Sequence, residues 1–205
     1  TIRAATHGDY FSAALYGSTI AYAYASGSSA SFAYRLGTVP SPATCSISWS
    51  GSEATQGTTN ADASLPTATF DSNGDFWVSV DTYDGTNSHL EVWEASTSWT
   101  KSKDITLSSG ANSGLGILLN LGSSEVGYVY SSDWNSAGTL SITTYSGSSW
   151  SSAVSTSSTY NMAFSSATAL GSTIDFCGVG TTSAKFWNFT YGGSSSPVET
   201  TLASG

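Results

Sequence analysis

The chain has 205 residues, 39% of them apolar and 13% aromatic but only 9% charged, with a net charge of −9. So many aromatic rings need packing partners, which excludes a disordered tract. The few cations, Arg3, Arg35, Lys101, Lys103 and Lys185, are scattered. They cannot neutralise a phosphate backbone or dock on anionic lipid, which excludes nucleic acid and charged membrane surfaces as partners.

Helical spacing is missing and period-two alternation is widespread, so every element reads as a strand. In chain order, the first group predicts strands at 12–16, 19–25, 31–36 and, more weakly, 44–49, turning first at Gly17. A polar stretch at 50–64 reads as a long loop. The second group predicts strands at 66–70, 76–82, 89–94 and 103–108, turning at Gly74. The third predicts 116–120, 125–131, 139–145 and 152–156 around Gly122. The fourth predicts 166–170, 173–179, 185–191 and 197–202 around Gly171. Trp99 and Trp150 fall at matching places just past the third strands, where a large ring fills space between twisted sheets.

The four units, at about 10–50, 65–110, 114–160 and 163–205, lie within a single all-β domain over 1–205. Segment 1–9 is expected to complete the last unit. A strand-built period of roughly 40–50 residues is the signature of β-propeller blades. The expected fold is therefore an all-β β-propeller of about four blades, either a whole ring or part of a larger one. A β-sandwich or jelly roll is the alternative, since it too reads as many short strands.

Asp71-Ser72-Asn73-Gly74-Asp75-Phe76-Trp77-Val78 resembles the first hairpin turn of sensor-type propeller repeats and the Asp-box of sialidase-like repeats. An aspartate there can hold backbone amides of the turn while Gly74 takes positive φ. The other units keep the glycine and lose the aspartate.

In such a fold the loops between second and third strands share one face, and the glycine turns emerge on the other. The first face gathers the candidate ligand-binding residues Asp81, Tyr83, Asp84, Asn87 and His89, and, one unit later, Asp133, Trp134 and Asn135. Inter-unit loops add Asn60, Asp62, Asn112, Tyr160 and Asn161 to that face. A ring such as Trp134 beside a carboxylate and an amide offers a sugar both an apolar face and hydrogen bonds. Asp81, Asp84, Asn87 and Glu91 are hard oxygen donors of the kind calcium takes, but their spacing fits no EF-hand loop, so no cofactor is expected beyond an optional calcium. A turn bonding its own backbone explains the same residues. Two arginines in distant contexts cannot form the clamp a sialidase needs, and no catalytic residue is assigned.

Cys45 and Cys177 are either one bridge between first and last units or two buried thiols. Asn188-Phe189-Thr190 is a glycosylation sequon. No apolar run is long enough for a membrane-spanning helix. The expected function is a non-enzymatic recognition or structural module, extracellular, on a cell surface or on a virion, with a glycan or protein partner and an option to self-associate. The alternatives are a glycosidase-like enzyme using loop carboxylates such as Asp84 and Asp133, and a self-assembling subunit of a filament, capsid or surface layer.

Overall fold

A computed structural model describes residues 10–25, 28–40, 46–109, 114–132, 138–179, 183–192 and 196–204, with backbone alone at 108–109, 138, 157–165, 179 and 203–204. Cys45, Asn112, Asp133, Trp134, Asn135 and segment 1–9 fall outside the described residues. The chain divides into two compact units, one holding 1–70 and 74–112, the other 71–73 and 113–205. Each unit carries two sheets, and all neighbouring strands are antiparallel.

Unit 1 begins with β1 (Tyr10–Tyr16), β2 (Thr19–Ala25) and β3 (Ser31–Thr38). The outer strand of this sheet is split. The pieces β4 (Ser48–Trp49) and β5 (Ala54–Gly57) both pair with β3. The stretch read as a patternless loop at 50–64 thus contains a strand. Its sequence Ala-Thr-Gln-Gly lacks alternation because an edge strand has little apolar surface to cover. The second sheet is β6 (Ala61–Phe70), β7 (Phe76–Tyr83), β8 (Asn87–Ala95) and β9 (Trp99–Ser109), in that order. The two sheets of unit 1 face each other across Ala21, Ala23, Ala25, Phe32, Phe70, Phe76, Val78 and Val80, all buried. The small/large reading of Ala21-Tyr22-Ala23-Tyr24 holds: alanines enter this core and tyrosines take the opposite face.

Unit 2 contains β10 (Leu115–Gly122), β11 (Glu125–Ser131), β12 (Gly138–Tyr145), β13 (Val154–Leu170), β14 (Thr173–Val179), β15 (Ser183–Thr190) and β16 (Val198–Ser204). Hydrogen bonding runs unbroken from β10 to β16. The cause is β13, whose 17 residues serve two sheets. Tyr160 is registered with Gly138 of β12, and Asn161 with Val179 of β14. Tyr160 and Asn161 were expected in an inter-unit loop, and they lie instead within this strand. The core of unit 2 is Leu119, Leu121, Val129, Leu140, Ile142, Ile174, Phe176, Trp187 and Phe189.

Candidate functional site

The hairpin between β7 and β8 is shorter than the sequence suggested. Strands run to Tyr83 and resume at Asn87, so the loop is only 84–86. Asp84 closes it. Its Oδ1 accepts the Thr86 and Asn87 amides, each at 2.7 Å, and Gly85 takes a φ of 98°. Asp81 lies on β7 opposite Leu90 and has no exposed surface. Tyr83 and Asn87 are half-buried strand ends.

His89 on β8 sits between two carboxylates, with Nε2 at 3.2 Å from Asp84 Oδ2 and Nδ1 at 2.8 Å from Asp104 Oδ1. Lys101 Nζ reaches the other oxygen of Asp104 at 2.7 Å. Burial is the largest single influence on His89 and pulls its pKa down, but Asp104 and Asp84 together override it and hold the imidazole above its ordinary value. Asp84 is lowered to about 2, first by the Asn87 amide, then by Thr86 and His89. A raised histidine stabilises the fold below its unfolded pKa and loses that contribution as pH rises through the folded one. A lowered aspartate stabilises above its ordinary value and loses this as pH falls toward 2. The cluster is therefore strongest between roughly pH 4 and 6, taking the ordinary carboxylate and imidazole values as bounds. His89→Gln is expected to flatten the loss of thermal stability as pH rises above about 6, and to weaken the acid limb only in part, since the Asn87 and Thr86 amides lower Asp84 more than His89 does. An unchanged profile in a pH series of melting temperatures would show that this cluster does not couple to folding.

Glu91, counted among the calcium-type oxygens, is fully buried and faces donors only. It accepts the Thr59 and Asn60 amides, each at 3.0 Å, Thr82 Oγ1 at 3.1 Å and Trp93 Nε1 at 3.0 Å. An oxygen pair surrounded by N–H and O–H groups is arranged to receive hydrogens and leaves no room for a cation. Among the described residues, no group of three or more His, Cys, Asp or Glu side chains is placed to hold a metal ion.

Two clefts suited to a ligand lie at the other end of the sheets, beside the glycine turns. In the turn between β6 and β7, Asp71 Oδ1 accepts the Asn73 amide at 2.9 Å and Gly74 takes a φ of 86°. A Cβ on Gly74 would stand 3.0 Å from the Tyr16 ring. This turn sets Asp75 at the mouth of a cleft of about 300 Å³. The β8–β9 hairpin supplies Ser96, Thr97, Ser98 and Trp99, and β3 supplies Tyr34. Trp99 is fixed edge-on by Tyr34 and Phe32, at 4.9 and 5.1 Å between ring centres. The inter-sheet packing expected of Trp99 is thus its structural role, and its half-exposed remainder forms the cleft wall.

Unit 2 repeats the arrangement. Its turn has no aspartate, but Asn120 Oδ1 bonds the Gly122 amide at 2.8 Å, two residues on as Asp71 does. Glu125 stands where Asp75 stands, one residue before the strand position that faces the hairpin: Phe76 pairs with Ala95, and Val126 with Tyr145. The cleft here is about 280 Å³, lined by Glu125, Tyr145, Ser146, Ser149, Ser151 and Tyr191. Tyr191 is held by its hydroxyl, which donates toward the carbonyls of Leu121 and Gly171 at 3.0 and 2.8 Å. Each cleft joins one carboxylate, a set of hydroxyls and an aromatic wall. Such a surface accepts and donates hydrogen bonds to a polyol while an apolar face lies on the ring.

Of the covalent candidates, Cys177 is a half-buried thiol on β14, and its proposed partner Cys45 is outside the described residues. Asn188 lies on β15 with Nδ2 donating to Asp175 Oδ1 at 2.6 Å, the same nitrogen a glycan would occupy.

Four repeated antiparallel sheets of this kind define a β-propeller fold. No protein-family model matches the sequence, and no curated protein matches it. Among solved structures, the chain is similar to a fungal lectin from Aleuria aurantia, described as a six-bladed β-propeller with a novel fucose recognition mode. The TM-score is 0.63 at 15% identity over 95% of this chain and 61% of that one. A variant of the Aleuria aurantia lectin in complex with Fucα1-6GlcNAc gives 0.62 at 15% identity, over 97% of this chain and 62% of that one. The chain spans about three fifths of the length of these lectins. At such identity the likeness is one of fold.

Proposed function

We propose that this chain is a non-enzymatic glycan-binding module, taking uncharged sugar residues in the clefts beside its glycine turns. The observation that carries the reading is the repetition: the residue just before matching strand positions supplies a carboxylate, and the hairpin that follows supplies hydroxyls beside an aromatic ring, once in each unit. A side chain kept for packing alone has no need of a carboxylate at both mouths. A single carboxylate among the lining residues of each cleft also suits recognition better than glycoside hydrolysis, which works with a facing pair. The likeness to lectins solved with fucosides agrees with this reading. The low charge and abundant hydroxyls support a setting outside the cell or on a virion surface.

The hairpin tip at 84–89 ranks second as a glycan site. Asp84 and His89 direct their polar atoms at one another and at the turn. In the case of Asp133, Trp134 and Asn135, the sugar reading rests on the sequence alone.

The test is titration calorimetry with α-methyl-L-fucoside and a panel of neutral and sialylated oligosaccharides. Saturable binding of a neutral glycan is expected. Asp75→Asn combined with Glu125→Gln is expected to weaken it at least tenfold, with the far-UV spectrum unchanged. Equal affinity in the double variant would move the site elsewhere. Release of reducing sugar on incubation would overturn the non-enzymatic assignment.

A further inference from the structure

Two serines with left-handed backbone, Ser123 at a φ of 49° and Ser124 at 63°, stand directly before Glu125, the carboxylate of the unit 2 cleft. A non-glycine residue at positive φ is uncommon. Two in succession belong to two-residue hairpins of type I′, where Asn-Gly or Gly-Gly is the usual choice. Here Ser-Ser takes that place.

Two other hairpins show what a similar sequence does without strain. Between β1 and β2, Tyr16 pairs with Thr19 across Gly17-Ser18, and between β13 and β14, Leu170 pairs with Thr173 across Gly171-Ser172. Only the glycine of each turn has positive φ. Between β10 and β11 the chain reads Gly122-Ser123-Ser124, one residue longer. The ladder slips between Asn120 and Gly122, Gly122 becomes the partner of Glu125, and both serines enter the left-handed region. A slip of this kind re-aims the side chain beside it. That side chain is Glu125, at the position where the other two hairpins carry a threonine. Such a backbone persists only where its surroundings fix it. Asn120 Oδ1 accepts the Gly122 amide at 2.8 Å, and the Ser124 amide donates to Ser72 Oγ at 2.5 Å. Ser72 lies in the turn between β6 and β7 and belongs to the same compact unit as Glu125. The cleft-lining hairpin closes on the same peptide, since a Cβ on Gly147 would stand 3.9 Å from the Ser124 carbonyl oxygen.

We infer that Ser72 and Ser124 are positioning residues for the unit 2 cleft: through the Ser124 peptide they fix the direction in which the Glu125 side chain leaves the backbone before a sugar arrives. This rests on the glycan reading of that cleft. A carboxylate set in advance loses less freedom on binding, so more of each contact appears as affinity. Its two oxygens then suit two neighbouring hydroxyls of a neutral sugar ring. A sugar lacking one of those hydroxyls is rejected, because it leaves an oxygen without its donor. Unit 1 has no such device. There Asp75 follows a turn in which Gly74 alone takes positive φ. The unit 2 cleft is therefore the more selective of the two.

The experiment is calorimetry with α-methyl-L-fucoside and the neutral oligosaccharides of the panel, in an Asp75→Asn background that silences the unit 1 cleft. One saturable site is expected to remain. Adding Ser72→Ala removes the acceptor of the Ser124 amide and is expected to weaken that site about tenfold, the fold-change of one hydrogen bond. Ser72→Thr keeps a hydroxyl and is expected to restore it. Ser124→Gly suits the left-handed backbone, so it is expected to raise the melting temperature and yet weaken binding by a similar factor. Those opposite signs distinguish positioning from a purely structural role, which would leave binding alone or move it with stability. Unchanged affinity in Ser72→Ala and Ser124→Gly would overturn the positioning role and leave the glycan reading standing. A lowered melting temperature for Ser124→Gly would show an unstrained turn and overturn it too. Loss of all binding in Asp75→Asn alone would remove the unit 2 cleft as a site, and this role with it. A wild type that binds none of the sugars would overturn the glycan reading itself.

Discussion

Replacing Glu91 with alanine is expected to destabilise unit 1 by about 3–5 kcal/mol, because four neutral donors lose a charged acceptor and each such hydrogen bond contributes about 1.5–3 kcal/mol before water replaces part of it. The side chain is fully buried and accepts four donors drawn from Thr59, Asn60, Thr82 and Trp93. Two of them are backbone amides of the segment between β5 and β6, so the carboxylate pins the connection between the first two sheets. Truncation takes the acceptor from those part-buried amides, each costing up to about 1–3 kcal/mol where water does not replace it. Glu91→Gln keeps the shape but turns one acceptor into a donor facing donors, and is expected to cost about 2 kcal/mol on the same scale. Urea midpoints at constant m-value measure both. A loss below about 1 kcal/mol for the alanine variant would mean water replaces the carboxylate, and the pinning role would be abandoned.

The second large effect is expected at Gly116. A Cβ there would stand 2.1 Å from the Tyr128 hydroxyl oxygen and 2.2 Å from ring carbons Cε2 and Cζ. Tyr128 is fully buried and stacks on Tyr130 at 5.4 Å between ring centres. It cannot swing aside without displacing that neighbour. Gly116→Ala is therefore expected to cost about 2–3 kcal/mol by overpacking. The steric explanation also fixes the double variant. Once Tyr128→Ala has removed the ring, Gly116→Ala is expected to add almost nothing. Additive costs in the cycle would point to the strand backbone rather than the ring.

The strands were legible because they follow local rules. Alternation marked Phe76-Trp77-Val78 and Leu90-Glu91-Val92, and the glycine turns separated them at nearly equal intervals. Of the outer strand of the first sheet, β4 falls within the stretch expected at 44–49, but β5 was not legible, since it is short, polar and paired only along one edge. Asp81 was read with the loop face although it falls at the end of the strand expected at 76–82, and aspartate is rare in strands. Tertiary packing overrode that preference and buried it in β7. The clefts were hidden for another reason. Asp75 and Glu125 look like ordinary acids flanking turns. Their meaning comes from hairpins some twenty residues later in the chain, and in unit 2 also from Tyr191 of the last sheet. The one available clue was the recurrence of an acid just before the second strand in both middle groups.

The long strand β13 sets a limit on modularity. Where sheets are joined by a turn, a repeat can be inserted, lost or exchanged without touching the hydrogen-bond ladders on either side. The short segment between β5 and β6 is such a joint. Between the third and fourth sheets there is none, because the last ladder bond of one is followed at the next residue by the first of the other. A cut or insertion at Tyr160–Asn161 breaks two sheets at once. The last two repeats are thus a single block toward cutting or insertion, because one strand carries both ladders.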